Sequence, residues 1–322
     1  MAIAATLLAG ACGSDTSPET ERAAAPTTTT TSTVVDATTT TATPETTTTT
    51  TPPLAPAAVE DAADPIELAE RIVEAERTTR APDTADDELR AAAFTLQQAY
   101  RQLGRTPDWD AAVLAETPED LRSTVAANAD ARRQFRGMHT KLSDTLPAWR
   151  IVDPPPAEEL LSYYQEAEAT FGVPWEVLAA VNLVETGMGR IRGTSVAGAQ
   201  GPMQFMPATW AAFGDGGDVD DPHDAIMGAA RYLAHNGGGS GDIDNALWNY
   251  NHSDRYVAGV KHYASVMTED SAAFNGFYHW QIVYLSTSGD VWLPVGFEQL
   301  ERIAVTDYVA ANPDHHLGTT TA

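Results

Sequence analysis

Apolar residues recur at helical spacing through the middle of the chain. Leu89, Ala92, Leu96, Tyr100 and Leu103 form one stripe, and Leu121, Val125, Phe135, Met138 and Leu142 form a second. Positions three and four apart share a face, so each set predicts an amphipathic helix that buries one side. Gly104 reads as the stop of the first, and Thr117, Pro118, Glu119 and Asp120 as the entry to the second. A weaker stripe of Ile66, Ala69, Ile72 and Val73 predicts another helix upstream. Asp153 followed by Pro154, Pro155 and Pro156 then breaks the pattern, because proline donates no backbone bond and restrains its predecessor.

Beyond the prolines the helix ends are readable. Residues 157–171 form a helix closed by Gly172, and Pro174 suits the first turn of the next, which runs from Trp175 to Glu185. Asp221, Pro222 and Asp224 resemble an N-terminal box leading to Ala225, Ile226, Ala229, Ala230 and Leu233, with Gly237 as terminator. Residues 244–267 continue helical with an interruption at NYNHSD. The period then changes to two: Trp280, Ile282 and Tyr284, a turn at Ser288 and Gly289, and Val291, Leu293 and Val295 predict a β-hairpin. The fold class is therefore mainly α, with a small β-hairpin near the C-terminus.

The N-terminal part reads differently. Residues 2–11 are an apolar run, roughly half the ~20 residues that a membrane-spanning helix needs. The run ends in LLAGAC at Cys12, the single cysteine, as in a lipoprotein export signal. A plain signal peptide with an incidental cysteine is the alternative. Threonine and proline dominate residues 26–56, leaving too little aliphatic surface to offset ordering, so a disordered tether is expected. From Cys12 to residue 61 its span would be roughly 40 Å. The expected divisions are an export signal over 1–12, the tether over 13–60, a helical extension over 61–153, a catalytic block over 154–268, a hairpin extension over 269–311 and a disordered tail over 312–322. The protein is expected as a monomer exported to the outer face of the cytoplasmic membrane or the cell wall, anchored by lipid on Cys12.

A net charge of −26 argues against nucleic acid, which needs a basic surface. A sole cysteine excludes an intrachain disulfide framework. The chemistry concentrates in VNLVETGMGRIRGTSVAGAQGPMQFMPATW, residues 181–210. Glu185 ends an apolar helix there, against glycine stops at 187 and 189. The partial negative charge of a helix C-terminus disfavours its ionised form by about 0.3–1 kcal/mol, and apolar neighbours push the same way. Both favour a protonated carboxyl, as a general acid near neutral pH requires, although a surface glutamate at a helix end would occupy the same position. The following loop offers Gln204 as donor and acceptor, with Met203, Phe205 and Trp210 as apolar walls suited to sugar faces.

ETGMGR, then GAQGPMQFMPATW, DAIMGAARYLAHNG and ALWNYNHSDRYV together resemble the lytic transglycosylases of bacterial cell walls. The nearest likeness is to the membrane-bound B type, with its goose-lysozyme-like catalytic domain, in an actinobacterial lipoprotein form. The resemblance is specific over about residues 155–267. It implies a lysozyme-like helical domain that cleaves the β-1,4 bond between N-acetylmuramic acid and N-acetylglucosamine in peptidoglycan strands, without a cofactor. Glu185 takes the place of the family's single catalytic acid. Ser195, Gln200, Met203, Gln204, Phe205, Tyr250 and Asn251 fall on the saccharide-binding positions. Pro202 departs from the leucine common in relatives, which bears on cleft shape. A hydrolytic muramidase and an inactive wall-binding scaffold are the competing readings.

Three other patterns carry less. Gly193, Thr194 and Ser195 come one residue short of a nucleophile elbow, and no strand is expected before them. Asp215, Asp218, Asp220 and Asp221 lack EF-hand spacing and read as loop and helix capping. The eight histidines contain no HExxH pair, so no metal site is expected.

Overall fold

The computed structural model describes residues 60–318; the expected export signal with Cys12 and the tether up to residue 59 lie outside the described residues. Among the described residues no helix is long and apolar enough to cross a membrane.

Helices α1 (Pro65–Arg80), α2 (Asp86–Arg105), α3 (Asp110–Glu116) and α4 (Arg122–Met138) come first. The side chain of Asp64 caps α1 by accepting from the Ile66 and Glu67 amides, with Pro65 at the first helical position. Its buried face is Leu68, Ala69, Ile72 and Ala75, one step round from the expected stripe, and Ile66 is exposed. Gly104 does not stop α2. It lies inside the helix, where a side chain would press on Cβ of Arg132 at 3.2 Å, so its role is to let α4 approach.

Helices α5 (Ala157–Phe171) and α6 (Trp175–Thr186) follow, each ended by a glycine at positive φ, Gly172 at 74° and Gly187 at 62°. Then come α7 (Pro207–Phe213), α8 (Pro222–His235), α9 (Ile243–Tyr250), α10 (Asp254–Glu269) and α11 (Ala273–His279). Every residue of α6 from Val177 to Thr186 is buried, so the helix runs through the interior and needs no polar face. Helix α10 packs along both α6 and α4, helped by Gly259, whose Cβ would strike the Phe135 ring at 2.5 Å. One hydrophobic cluster accordingly runs from the first helices through α6 and α10 to Trp280.

The strands are short. β1 (Thr145–Leu146) pairs with β6 (Ile303–Ala304), β2 (Arg150–Ile151) with β3 (Ile191–Arg192), and β4 (Ile282–Ser286) with β5 (Gly289–Leu293), all antiparallel. The expected hairpin is β4–β5, but both its faces are largely covered. Leu146, Ile151, Ile191 and Phe297 join its Ile282, Val291 and Leu293 in a second, smaller core. Helix α12 (Val305–Ala311) follows β6. Residues 312–318 depart from the expected disorder. Pro313–His315 form a turn of 3-10 helix, and the Leu317 amide donates to the Asp290 carbonyl at 2.9 Å. The outer edge of β5 is thereby given backbone partners.

Candidate active site

Glu185 stands in the last turn of α6, 4% exposed. Gly187 ends the helix in the left-handed region, and the amides of Gly187 and Met188 return to the carbonyls of Leu183 and Asn182 at 3.0 and 3.2 Å. The glutamate is thus fixed at the negative end of an interior helix, away from water. Burial pushes its carboxyl from the ordinary 4.5 up to about 8. The opposing influence is a hydrogen bond from Tyr256 Oη to Oε1 at 2.7 Å, which favours the ionised form but is outweighed. No carboxylate and no cation among the described residues contributes to the shift.

The loop over residues 200–205 is a tight turn closed by two backbone bonds between Gln200 and Phe205, at 2.9 and 2.8 Å. Helix α6 holds it from one side, where the Pro202 carbonyl accepts from Asn182 Nδ2 at 2.9 Å and from Thr186 Oγ1 at 2.5 Å. Helix α9 holds it from the other, through Tyr250 Oη donating to the Met203 carbonyl at 2.7 Å. At Gly201, φ is 71° and a Cβ would lie 1.9 Å from the Val219 carbonyl oxygen, so only glycine fits. Gln204 takes a left-handed φ of 51° and donates from Nε2 to the Gly201 carbonyl at 3.0 Å. A non-glycine residue so placed costs about 1–3 kcal/mol, and its neighbours hold it there.

Tyr250 and Tyr256 stack with ring centroids 6.5 Å apart and planes 4° from parallel. Burial, and then the negative charge of Glu185, raise both phenols well above their ordinary range. They therefore remain neutral hydrogen-bond donors beside the acid. Phe205 packs against Trp210 at 5.1 Å and Tyr250 at 6.3 Å.

The structure groups Glu185, Met203, Gln204, Phe205 and Tyr250 through these contacts, and Asn251 is buried at the end of α9 immediately after Tyr250. Met203 is fully buried and Phe205 nearly so. Their side chains are packed beneath the loop, where exposed apolar walls were expected from sequence. Ser195 Oγ accepts from the Ala199 amide at 3.0 Å and shapes its own turn. That residue and the exposed Gln200 border two grooves farther along the same loop.

Sequence reasoning missed Tyr256, Asn182 and Thr186. Tyr256 is the third residue of α10, and the capping Ser253 just before it was the available sign that a helix starts there. The acidic run behaves as caps. Asp221 accepts from the Asp224 amide at 3.0 Å, Asp218 from Asp220 at 3.0 Å, and Asp224 from Asp218 at 2.9 Å. Asp221, His223 and Asp224 bring their ligand atoms within 4.8 Å of one another, but His223 is engaged by Glu166 at 3.1 Å.

Compared with known families, residues 162–270 match the Transglycosylase SLT domain. The match takes in α6, the 200–205 loop, α9 and α10, the segments that meet at Glu185. No curated protein and no solved structure matches the chain significantly.

Proposed function

We propose, from the SLT transglycosylase domain carried by residues 162–270, that this protein cleaves peptidoglycan strands as a lytic transglycosylase with Glu185 as its acid and base. The observation that carries the reading is a buried carboxyl held near pH 8 with no charged partner, next to two neutral tyrosines. Glycosidases that admit water commonly use two carboxylates, about 5–5.5 Å apart when retaining and about 6.5–9.5 Å when inverting. Here no second carboxylate contributes to the shift at Glu185, which favours a route in which the substrate supplies the remaining groups.

In that route Glu185 donates its proton to the glycosidic oxygen between N-acetylmuramic acid and N-acetylglucosamine. The C1–O bond breaks and the released sugar leaves with a new hydroxyl. The muramyl acetamide oxygen stabilises the positive C1. The Glu185 carboxylate, steadied by Tyr256, then takes the proton of the muramyl C6 hydroxyl as O6 bonds to C1. A 1,6-anhydro ring results, Glu185 is protonated again, and no water is consumed. Tyr250 keeps the Met203 carbonyl and the loop in position, and Gln204 and Asn251 are the polar groups assigned to the sugar.

Mass spectrometry of muropeptides released from purified peptidoglycan tests this directly. Anhydromuramyl ends are expected; reducing muramyl ends alone would make the enzyme a hydrolytic muramidase, and no release would make it a scaffold. We assign the protein to the exported side of the cytoplasmic membrane, tethered through a lipid on Cys12. Labelling with a radioactive fatty acid, lost in Cys12→Ser, is the check.

A further inference from the structure

We infer that the segments flanking the SLT domain, together with its 192–201 loop, build a cationic groove, which receives the carboxylates of the peptide stems attached to the glycan. This inference rests on the proposed function and extends it from sugar to peptide. Two adjoining cavities of about 330 and 640 Å³ share Thr194. Lys141 and Arg302 line the first, and Arg150 and Arg192 the second. The chain has only 19 Lys and Arg against 45 Asp and Glu, so four cations on one groove go against its composition.

The four cations are left without ion pairs, a condition they share among the described residues with Arg90, Arg122, Arg132, Arg136, Arg190 and Arg255. Seven arginines elsewhere, among them Arg71, Arg80, Arg101 and Arg133, form ion pairs with carboxylates. Among the described residues none of the four groove cations does. Arg302 is steered by neutral acceptors, donating to Thr145 Oγ1 and Ser143 Oγ at 3.0 Å each. Arg192 donates to the Asp220 carbonyl at 3.0 Å. Asp220 is the one carboxylate residue on the lining of either cavity. Guanidinium groups oriented in this way keep donors free for a planar anion.

Position selects the anion. Gly201 lines the second cavity, and the next residue, Pro202, is bolted by its carbonyl to the helix turn that carries Glu185. An anion in the groove is therefore carried by the polymer lying at the acid. The sugars of that polymer are neutral once the lactyl carboxyl is amide-linked, which leaves the carboxylates of its peptide. Phosphate-bearing wall polymers fit less well, because substitution at the muramyl O6 blocks the ring closure proposed above.

Lys141→Ala combined with Arg150→Ala removes two exposed cations that make no side-chain hydrogen bond, so the fold is kept. Steady-state cleavage and co-sedimentation are compared on peptidoglycan bearing its peptides and on the same glycan after amidase removal of them. KM and the binding constant for peptide-bearing wall are expected to weaken about 3- to 10-fold at low salt, with kcat unchanged and no change on stripped glycan. Equal effects on both substrates, or none on either, overturn the inference. So does a loss that follows acid extraction of wall phosphate in place of peptide removal. Wild-type chain that binds with the expected preference but yields no product would sink the proposed reaction and leave the groove standing.

Discussion

Among the described residues two glutamates are buried with a tyrosine hydroxyl donating to each, and their remaining surroundings are opposite. Glu76, on α1, is 2% exposed and takes a hydrogen bond from Tyr100 together with an ion pair from Arg80, which also reaches Asp270 at 3.0 Å. Glu185, on α6, takes a hydrogen bond from Tyr256 and has no cation. The first charge is compensated and serves to join α1, α2 and α10. The second is left uncompensated, so burial holds its proton near the pH at which an acid is useful. Burial of a carboxylate thus leaves its protonation open; the presence or absence of a counter-charge decides it.

Exchanging each glutamate for its amide sets the comparison its hardest test. Glu185→Gln is expected to lower turnover on peptidoglycan at least about 10³-fold, within the range of lost general acid–base catalysis, while circular dichroism shows an unchanged fold. Glu76→Gln is expected to do the reverse. It leaves the half-buried Arg80 with Asp270 as its remaining carboxylate partner and weakens the Tyr100 hydrogen bond, costing about 1–2 kcal/mol by urea unfolding, with kcat of the folded fraction preserved. Loss of activity without loss of stability at position 76 would erase the distinction.

The pH dependence follows with its sign. The folded chain keeps the Glu185 proton up to about pH 8, whereas an unfolded glutamate releases it near 4.5. Stability should therefore fall as pH rises through that window, by up to about 1.4 kcal/mol per pH unit, and Glu185→Gln should lack this component. In the wild type kcat/KM should decline above about pH 8. A flat unfolding profile whose slope does not differ between the two proteins would contradict the burial argument.

A smaller effect is expected from Tyr256→Phe. Removing the donor disfavours the carboxylate, so the alkaline limb of the rate profile should move upward while kcat drops about tenfold, corresponding to a charge-assisted bond of about 1.5 kcal/mol. A drop in kcat with the limb unmoved would make Tyr256 a packing residue only.

Much of this was legible in the chain. The helices carrying Leu96, Val125 and Val181 follow from spacing, and the place of Glu185 follows from an apolar run ending on Gly187. Tyr256 was hidden because it lies 71 residues from Glu185 and the two meet only when α10 packs on α6. Strands β1, β2, β3 and β6 have two residues each, too few to show a period. That the side chains of Met203 and Phe205 turn inward was not legible, since the turn depends on the anchoring of the neighbouring Pro202 carbonyl.

The seam between α4 and α10 has a practical consequence. A fragment cut at residues 162 and 270 would carry α10 without α4, stripping the Phe135 ring from Gly259 and Tyr263. Gly187 would also lose the side chain of Ile282 that abuts it. The recognisable segment is therefore not a detachable cassette. Grafting it into another protein would require bringing its neighbours along.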